Sequence, residues 1–233
     1  ASDVYKRQSP NSATGVDLDG DGVLEIVTAD MLGDTVTVLA FRDKAFATVA
    51  SIDVPQDLLH VLAADLDGDG DDDVVSVHDD GIITALINER GRLTAEPAGT
   101  FDVGVTVDAT IVVADLDDDG WIELILPFIG FIRVVEYTAG VFQPVFIDDS
   151  ITDDIRRIVA IDSDGDGDSD LAYSTETAIR ILRNDNGILV QTAGEVPCSI
   201  ECALAAIDGD GDGDDDLVAA DGAAFFYEND GGT

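Results

Sequence analysis

One acidic nonapeptide recurs five times and constrains the fold more than any other feature of the chain. Its clearest copy is Asp65-Leu66-Asp67-Gly68-Asp69-Gly70-Asp71-Asp72-Asp73, followed by Val74-Val75. The others begin at Asp17, Asp115, Asp162 and Asp208, so the period is 46 to 50 residues. A fixed period in that range marks a repeat architecture, in which each unit is one supersecondary element that buries its apolar face only by stacking on the next.

The nonapeptide has the chemistry of a cation loop. Positions 1, 3 and 5 are Asp in all five copies: Asp17, Asp19, Asp21; Asp65, Asp67, Asp69; Asp115, Asp117, Asp119; Asp162, Asp164, Asp166; and Asp208, Asp210, Asp212. Position 9 is always acidic: Glu25, Asp73, Glu123, Asp170 and Asp216. Calcium takes about six to eight oxygens with tolerant geometry. Carboxylates from these four positions converge if the backbone curls, and the position 7 carbonyl (Val23, Asp71, Trp121, Asp168, Asp214) can close the shell. Position 6 is always Gly, where a sharp turn favours positive φ. An EF-hand would need Glu at position 12 and flanking helices; position 12 is Thr28, Ser76, Leu126, Tyr173 or Ala219, and the flanks read as strands. Magnesium fits less well, because it prefers rigid octahedral sites that retain water. Without a cation each loop crowds four carboxylates, which only a counter-ion or raised pKa values relieve.

These loops explain much of the charge. Fifty acids against eleven bases give a net charge of −39, and 26 of the acids lie in the five nonapeptides. Five bound calcium ions would still leave −29. So acidic a surface excludes nucleic acid and anionic membrane as expected partners. No run of 18 apolar residues exists to insert into a membrane; the greasiest segment, Leu124 to Ile132, is short and broken by Pro127 and Gly130. Cys198 and Cys202 are read as a local disulfide, with free thiols as the alternative. The two histidines, His60 and His78, read as packing or surface residues rather than catalytic bases. No Gly-x-Ser-x-Gly, phosphate loop or His-rich cluster occurs.

Within the second repeat, His60–Ala64, Val74–Val77 and Ile82–Ile87 read as strands, with a fourth in Leu93–Val103. Asn88-Glu89-Arg90-Gly91 turns the chain between the last two, as Asn184-Asp185-Asn186-Gly187 and Asn229-Asp230-Gly231-Gly232 do after later third strands. The first strands are the most continuously apolar, as in Ile158-Val159-Ala160-Ile161, and are expected to be buried on both faces. The expected fold is therefore an all-β propeller of four-stranded antiparallel blades, at about residues 11–57, 58–105, 106–153, 154–200 and 201–233. That is four full blades plus three strands of a fifth, expected to be part of a longer chain. Residues 1–10 fit no repeat phase and read as a non-native or preceding-blade segment.

Over residues 11–233 the sequence resembles the FG-GAP/VCBS repeat family, whose members are similar to the calcium-bearing blades of integrin α-subunit propellers. The signature carrying the resemblance is Asp-x-Asp-Gly-Asp-Gly-x-x-Asp followed by Leu or Val; neither Phe-Gly nor Gly-Ala-Pro occurs, so the match is to the calcium half of the motif. The resemblance implies a ring that is usually seven-bladed, and structural calcium at about five sites here. It further implies a non-enzymatic module of a secreted or cell-surface protein that binds an extracellular protein or glycan. The alternative expectation is a lectin-like, accessory or catalytic propeller of a secreted polysaccharide-degrading enzyme, with Trp121 and Tyr173 as sugar-stacking candidates.

Overall fold

The computed structural model describes residues 10–103, 111–148, 151, 154–185, 187–198, 202–211, 215–220 and 223–229. Every regular element in them is a β-strand, and no helix is present among the described residues. The chain divides into two compact units, Ala1–Val107 with Tyr137–Gln143, and Asp108–Glu136 with Pro144–Thr233. Of the segment 1–10, expected to fit no repeat, residues 1–9 lie outside the described residues, while Pro10 opens the first strand of the first sheet and pairs with Asp30.

The first unit holds two antiparallel four-stranded sheets in simple meander order. One is built from β1 (Pro10–Val16), β2 (Glu25–Asp30), β3 (Thr35–Arg42) and β4 (Ala45–Asp53). The other comprises β5 (Leu58–Ala64), β6 (Asp73–His78), β7 (Ile82–Asn88) and β8 (Leu93–Asp102). Their facing sides share one core, with Val27, Val36 and Val38 packed in a cluster with Leu58, Val61, Val74 and Leu86.

Three more sheets follow. The third runs β9 (Val112–Ala114), β10 (Glu123–Phe128), β11 (Phe131–Thr138) and β12 (Val141–Asp148). Its central hairpin turns at Ile129-Gly130, with Gly130 at φ 85°. The fourth sheet has β13 (Arg157–Ile161), β14 (Asp170–Ser174) and β15 (Ala178–Asn184), and its outer strand is split into β16 (Leu189–Gln191) and β17 (Val196–Pro197), both paired to β15. The fifth has β18 (Ala203–Ile207), β19 (Asp216–Ala220) and β20 (Ala224–Tyr227). Cores again form between successive sheets of this unit: Ile125 and Ile132 with Leu171, Tyr173 and Leu182, then Ala172 and Ile179 with Leu217 and Ala219.

The expected burial order is corrected. The second strand of each repeat is the deepest: every residue of β6, β10 and β14 is buried. The first strands, β5, β9 and β13, are buried only in part. A strand flanked by hydrogen-bonded neighbours on both edges and covered on both faces loses all its solvent contact, whereas an end strand keeps an edge exposed. Continuous apolarity did not distinguish the two.

Candidate metal centre

Each acidic loop joins the first strand of a sheet to the buried second strand, and three forces fix its shape. The first is apolar anchoring at position 2, where Leu18, Leu66 and Leu116 are 3, 1 and 7 % exposed. The second is left-handed backbone at positions 4 and 6, as at Gly68 (φ 73°) and Gly70 (φ 92°); Asp118 takes the same conformation at φ 61°. The space around Gly70 is open, so conformation and not crowding demands glycine there. The third is the position 1 carboxylate, which accepts N–H groups from inside its own loop. Asp65 receives Gly68 at 2.8 Å and Gly70 at 3.0 Å, and Asp162 receives Gly165 and Gly167 in the same way.

Position 9 closes the loop. One oxygen of Glu25, Asp73, Glu123, Asp170 and Asp216 accepts the position 2 N–H of Leu18, Leu66, Leu116, Ser163 and Gly209 respectively. Positions 1, 3 and 9 thereby meet. In Asp17/Asp19/Glu25, Asp65/Asp67/Asp73, Asp115/Asp117/Glu123 and Asp162/Asp164/Asp170, one carboxylate oxygen from each residue lies within 4.8 Å of the other two. Position 5 does not join these triads. Asp21, Asp69, Asp119 and Asp166 instead each turn one oxygen onto the N–H at position 7: Val23, Asp71, Trp121 and Asp168. The fifth loop departs from the expectation: Asp208, Asp210 and Asp216 are described but do not form such a triad; Asp208 accepts the Gly211 N–H, and Asp212 and Asp214 lie outside the described residues.

The electrostatics are those of crowded, desolvated acids. Burial pushes Asp73 up to about 6 and Glu123 up to about 7, with neighbouring loop carboxylates adding to the rise. Burial also raises Glu25, Asp67 and Asp164. In the third loop two carboxylate oxygens, Asp115 Oδ1 and Glu123 Oε1, are buried with no hydrogen-bond partner. Such oxygens are costly unless a cation meets them, and a hard divalent ion with oxygen ligands fits this donor set.

Some contacts were not legible as site residues. Arg183 reaches Asp164 Oδ2 at 2.9 Å and places a resident cation in the fourth loop. Glu136, paired across the strands with Glu123, adds a carboxylate near the third loop; burial, then Asp119 and Asp117, raise its pKa. Both occupy the third strand opposite position 9, a register that a single strand does not reveal. Trp121 is half-buried at position 7. Tyr173 is fully buried in the core, with its hydroxyl accepting from Gln191, so its candidacy for stacking on sugar is withdrawn. His78 is fully buried, with Nδ1 donating to the Gln56 carbonyl at 3.0 Å and Nε2 at 3.1 Å from Ser76 Oγ. Cys198 and Cys202 are joined in a disulfide.

The FG-GAP-like repeat family model matches residues 17–76 and again 65–126, windows that each take in two successive acidic loops. No curated protein matches the sequence. Among solved structures the chain is similar to a crystal structure of BBS1N in complex with ARL6DN, soaked with lead, at 13 % identity and a TM-score of 0.65, covering 94 % of this chain and 60 % of that one. The same complex soaked with mercury matches at 14 % identity and a TM-score of 0.65, covering 92 % of this chain and 59 % of that one. At such identity the likeness concerns the β-propeller fold alone, and the chain spans about three fifths of the length of those chains.

Proposed function

Residues 17–126 carry FG-GAP-like repeats, and from that premise we propose that this chain is a calcium-binding, non-enzymatic β-propeller module of a secreted or cell-surface protein, engaging an extracellular protein or glycan. The observation that carries the calcium reading is the pair of buried, unpartnered oxygens, Asp115 Oδ1 and Glu123 Oε1, in a triad repeated in four loops. Calcium is ligated by the carboxylates at positions 1, 3 and 9. Position 5 contributes the oxygen not used on the position 7 N–H, and the position 7 carbonyl completes the shell.

The ion acts structurally. It neutralises carboxylates on the loop that connects the first strand of each sheet to its buried second strand, so its binding free energy adds directly to folding. Sites of extracellular type bind with dissociation constants of about 10⁻⁴–10⁻³ M, and millimolar calcium then contributes on the order of 1 kcal/mol per site. The Cys198–Cys202 disulfide supports an oxidising compartment. The net charge of −39 supports a partner that is not itself polyanionic.

Thermal melts in chelator and in millimolar calcium test this. Calcium raises the melting temperature, and magnesium at the same concentration raises it less; identical melts in all three would defeat the reading. A glycan array probed with and without calcium then separates sugar from protein as the partner class.

A further inference from the structure

Three asparagines, two at the end of the third strand of their sheets and Asn229 two residues past it, each bind two acidic loops at once. Asn184, at the end of β15, donates its backbone N–H to Asp170 Oδ1 at 2.7 Å and its side-chain amide to the Ser169 carbonyl at 3.1 Å, both in its own loop. The same amide donates to the Leu116 carbonyl at 2.6 Å, in the loop of the preceding sheet. Asn88 repeats this pattern with Asp73 Oδ1, the Asp72 carbonyl and, in the preceding loop, the Leu18 carbonyl at 2.9 Å. Asn229 does so with Asp216 Oδ1, the Asp215 carbonyl and the Asp162 carbonyl at 2.9 Å.

The turn that follows makes a second contact with the same neighbour. Asn184 Oδ1 accepts the Gly187 N–H at 2.8 Å, and a Cβ on Gly187 would stand 3.1 Å from Asp117 Cβ. Asn88 likewise holds Gly91, where a Cβ would meet Asp19 Cβ at 2.9 Å. Asp19 and Asp117 are the position 3 members of the preceding triads. The turn of one sheet therefore packs on a carboxylate residue of the loop before it, while its asparagine holds the backbone next to that residue.

Asparagine is used selectively. It occurs in the three sheets whose position 9 is Asp, whose Oδ1 takes the asparagine N–H. In the two sheets with Glu at position 9, the strand register places Phe41 and Tyr137 there, neither with a side-chain amide to donate.

We propose that Asn88 and Asn184 are positioning residues that couple the cation affinity of their own loop to that of the preceding sheet, so that the sites bind as two linked pairs, loops one and two, and loops three and four. The proposal rests on the calcium reading above. A loop held by its neighbour's amide is already shaped for the ion, and an ion that fixes one loop fixes the asparagine that reaches the next; such coupling is reciprocal.

Trp121 makes a single-site test possible. It is the sole tryptophan and lies at position 7 of the third loop, so terbium emission excited at the red edge of the tryptophan band reports that loop. Terbium is titrated into wild type, Asn184→Ala and Asn88→Ala, well below their melting temperatures. Asn184→Ala changes no residue of the third loop, yet is expected to weaken its terbium affinity about tenfold, whereas Asn88→Ala leaves that titration at the wild-type value. Calcium competes the emission away in each case. Should Asn184→Ala not fold, Gly187→Ala displaces Asp117 and is expected to weaken the same titration. Wild-type affinity in whichever variant is measured overturns the coupling but leaves the calcium reading intact. Equal weakening by Asn88→Ala and Asn184→Ala points to general destabilisation and also overturns it. Absence of sensitised emission from folded wild type overturns the calcium reading and the coupling together.

Discussion

Replacing Glu123 with Gln separates what this side chain does for the loop from what its charge costs. Burial lifts its carboxyl to about 7 from 4.5. Each pH unit of displacement corresponds to about 1.4 kcal/mol, so holding Glu123 ionised at about pH 8 without a cation costs roughly 3 kcal/mol. Gln offers the same oxygen to the Leu116 N–H, now 2.7 Å from Glu123. As a neutral acceptor it makes a weaker bond, which returns about 1 kcal/mol of the gain. Cation-free E123Q is therefore more stable than wild type by about 2 kcal/mol, a rise of roughly 4–8 °C in melting temperature for a chain of this size. The pH dependence has a definite sign. A carboxyl raised in the folded state contributes its stability fully below its unfolded value and loses it as pH rises through the folded one. In chelator the two proteins accordingly converge below about pH 4.5, separate as pH rises from there to about 7, and keep a constant difference above it. Calcium reverses the order, because E123Q has lost a ligand charge. Circular-dichroism melts at both pH values, in chelator and in saturating calcium, read all four states. A lower melting temperature for E123Q in chelator at the higher pH, or the same order of the two proteins with and without calcium, would refute the reasoning.

Arg183 occupies the fourth loop as a resident counter-ion at 2.9 Å from Asp164, with its side chain 56 % exposed. Removing it in R183A is expected to tighten calcium binding at that loop by a factor of about 2–5, the range for a screened pair, as read by calorimetric titration. His78 is held neutral by burial, which lowers its pKa below 6.5. The unfolded chain takes up a proton first as pH falls through that value, so calcium-loaded protein loses stability below about pH 6.5, and H78Q flattens this acid limb in denaturant titrations. Gly70 sits at φ 92° in open space. G70A is therefore expected to cost about 1 kcal/mol or more by backbone strain alone, with only a minor steric part, measured as a shift of the urea midpoint.

A third strand was readable where Ile82–Ile87 forms an apolar run bounded by Gly81 and the Asn88 turn, and the structure places β7 there. The carboxylates at positions 1, 3 and 9 could be proposed together from spacing alone, since a nine-residue loop with two left-handed residues has few ways to fold. Position 5 shows where spacing ran out. Whether an Asp side chain faces the centre or caps a backbone N–H two residues on depends on one rotamer, and Asp69 takes the second option with one of its oxygens. The same limit applied to Tyr173. Its place after a loop suggested access to a ligand, but its strand is covered on both faces.

The sequence by itself determined the repeat, the strand-loop-strand unit and the acids able to surround an ion, because these follow from local periodicity and from the short reach of a nine-residue loop. Only the tertiary structure decided which strands lose all solvent, which carboxylate oxygens go without a partner, and that Asn184 spans 68 residues to reach the Leu116 carbonyl. Those outcomes depend on how one sheet stacks on another. Burial and hydrogen-bond pairing are properties of the packed neighbours, and no single repeat encodes them.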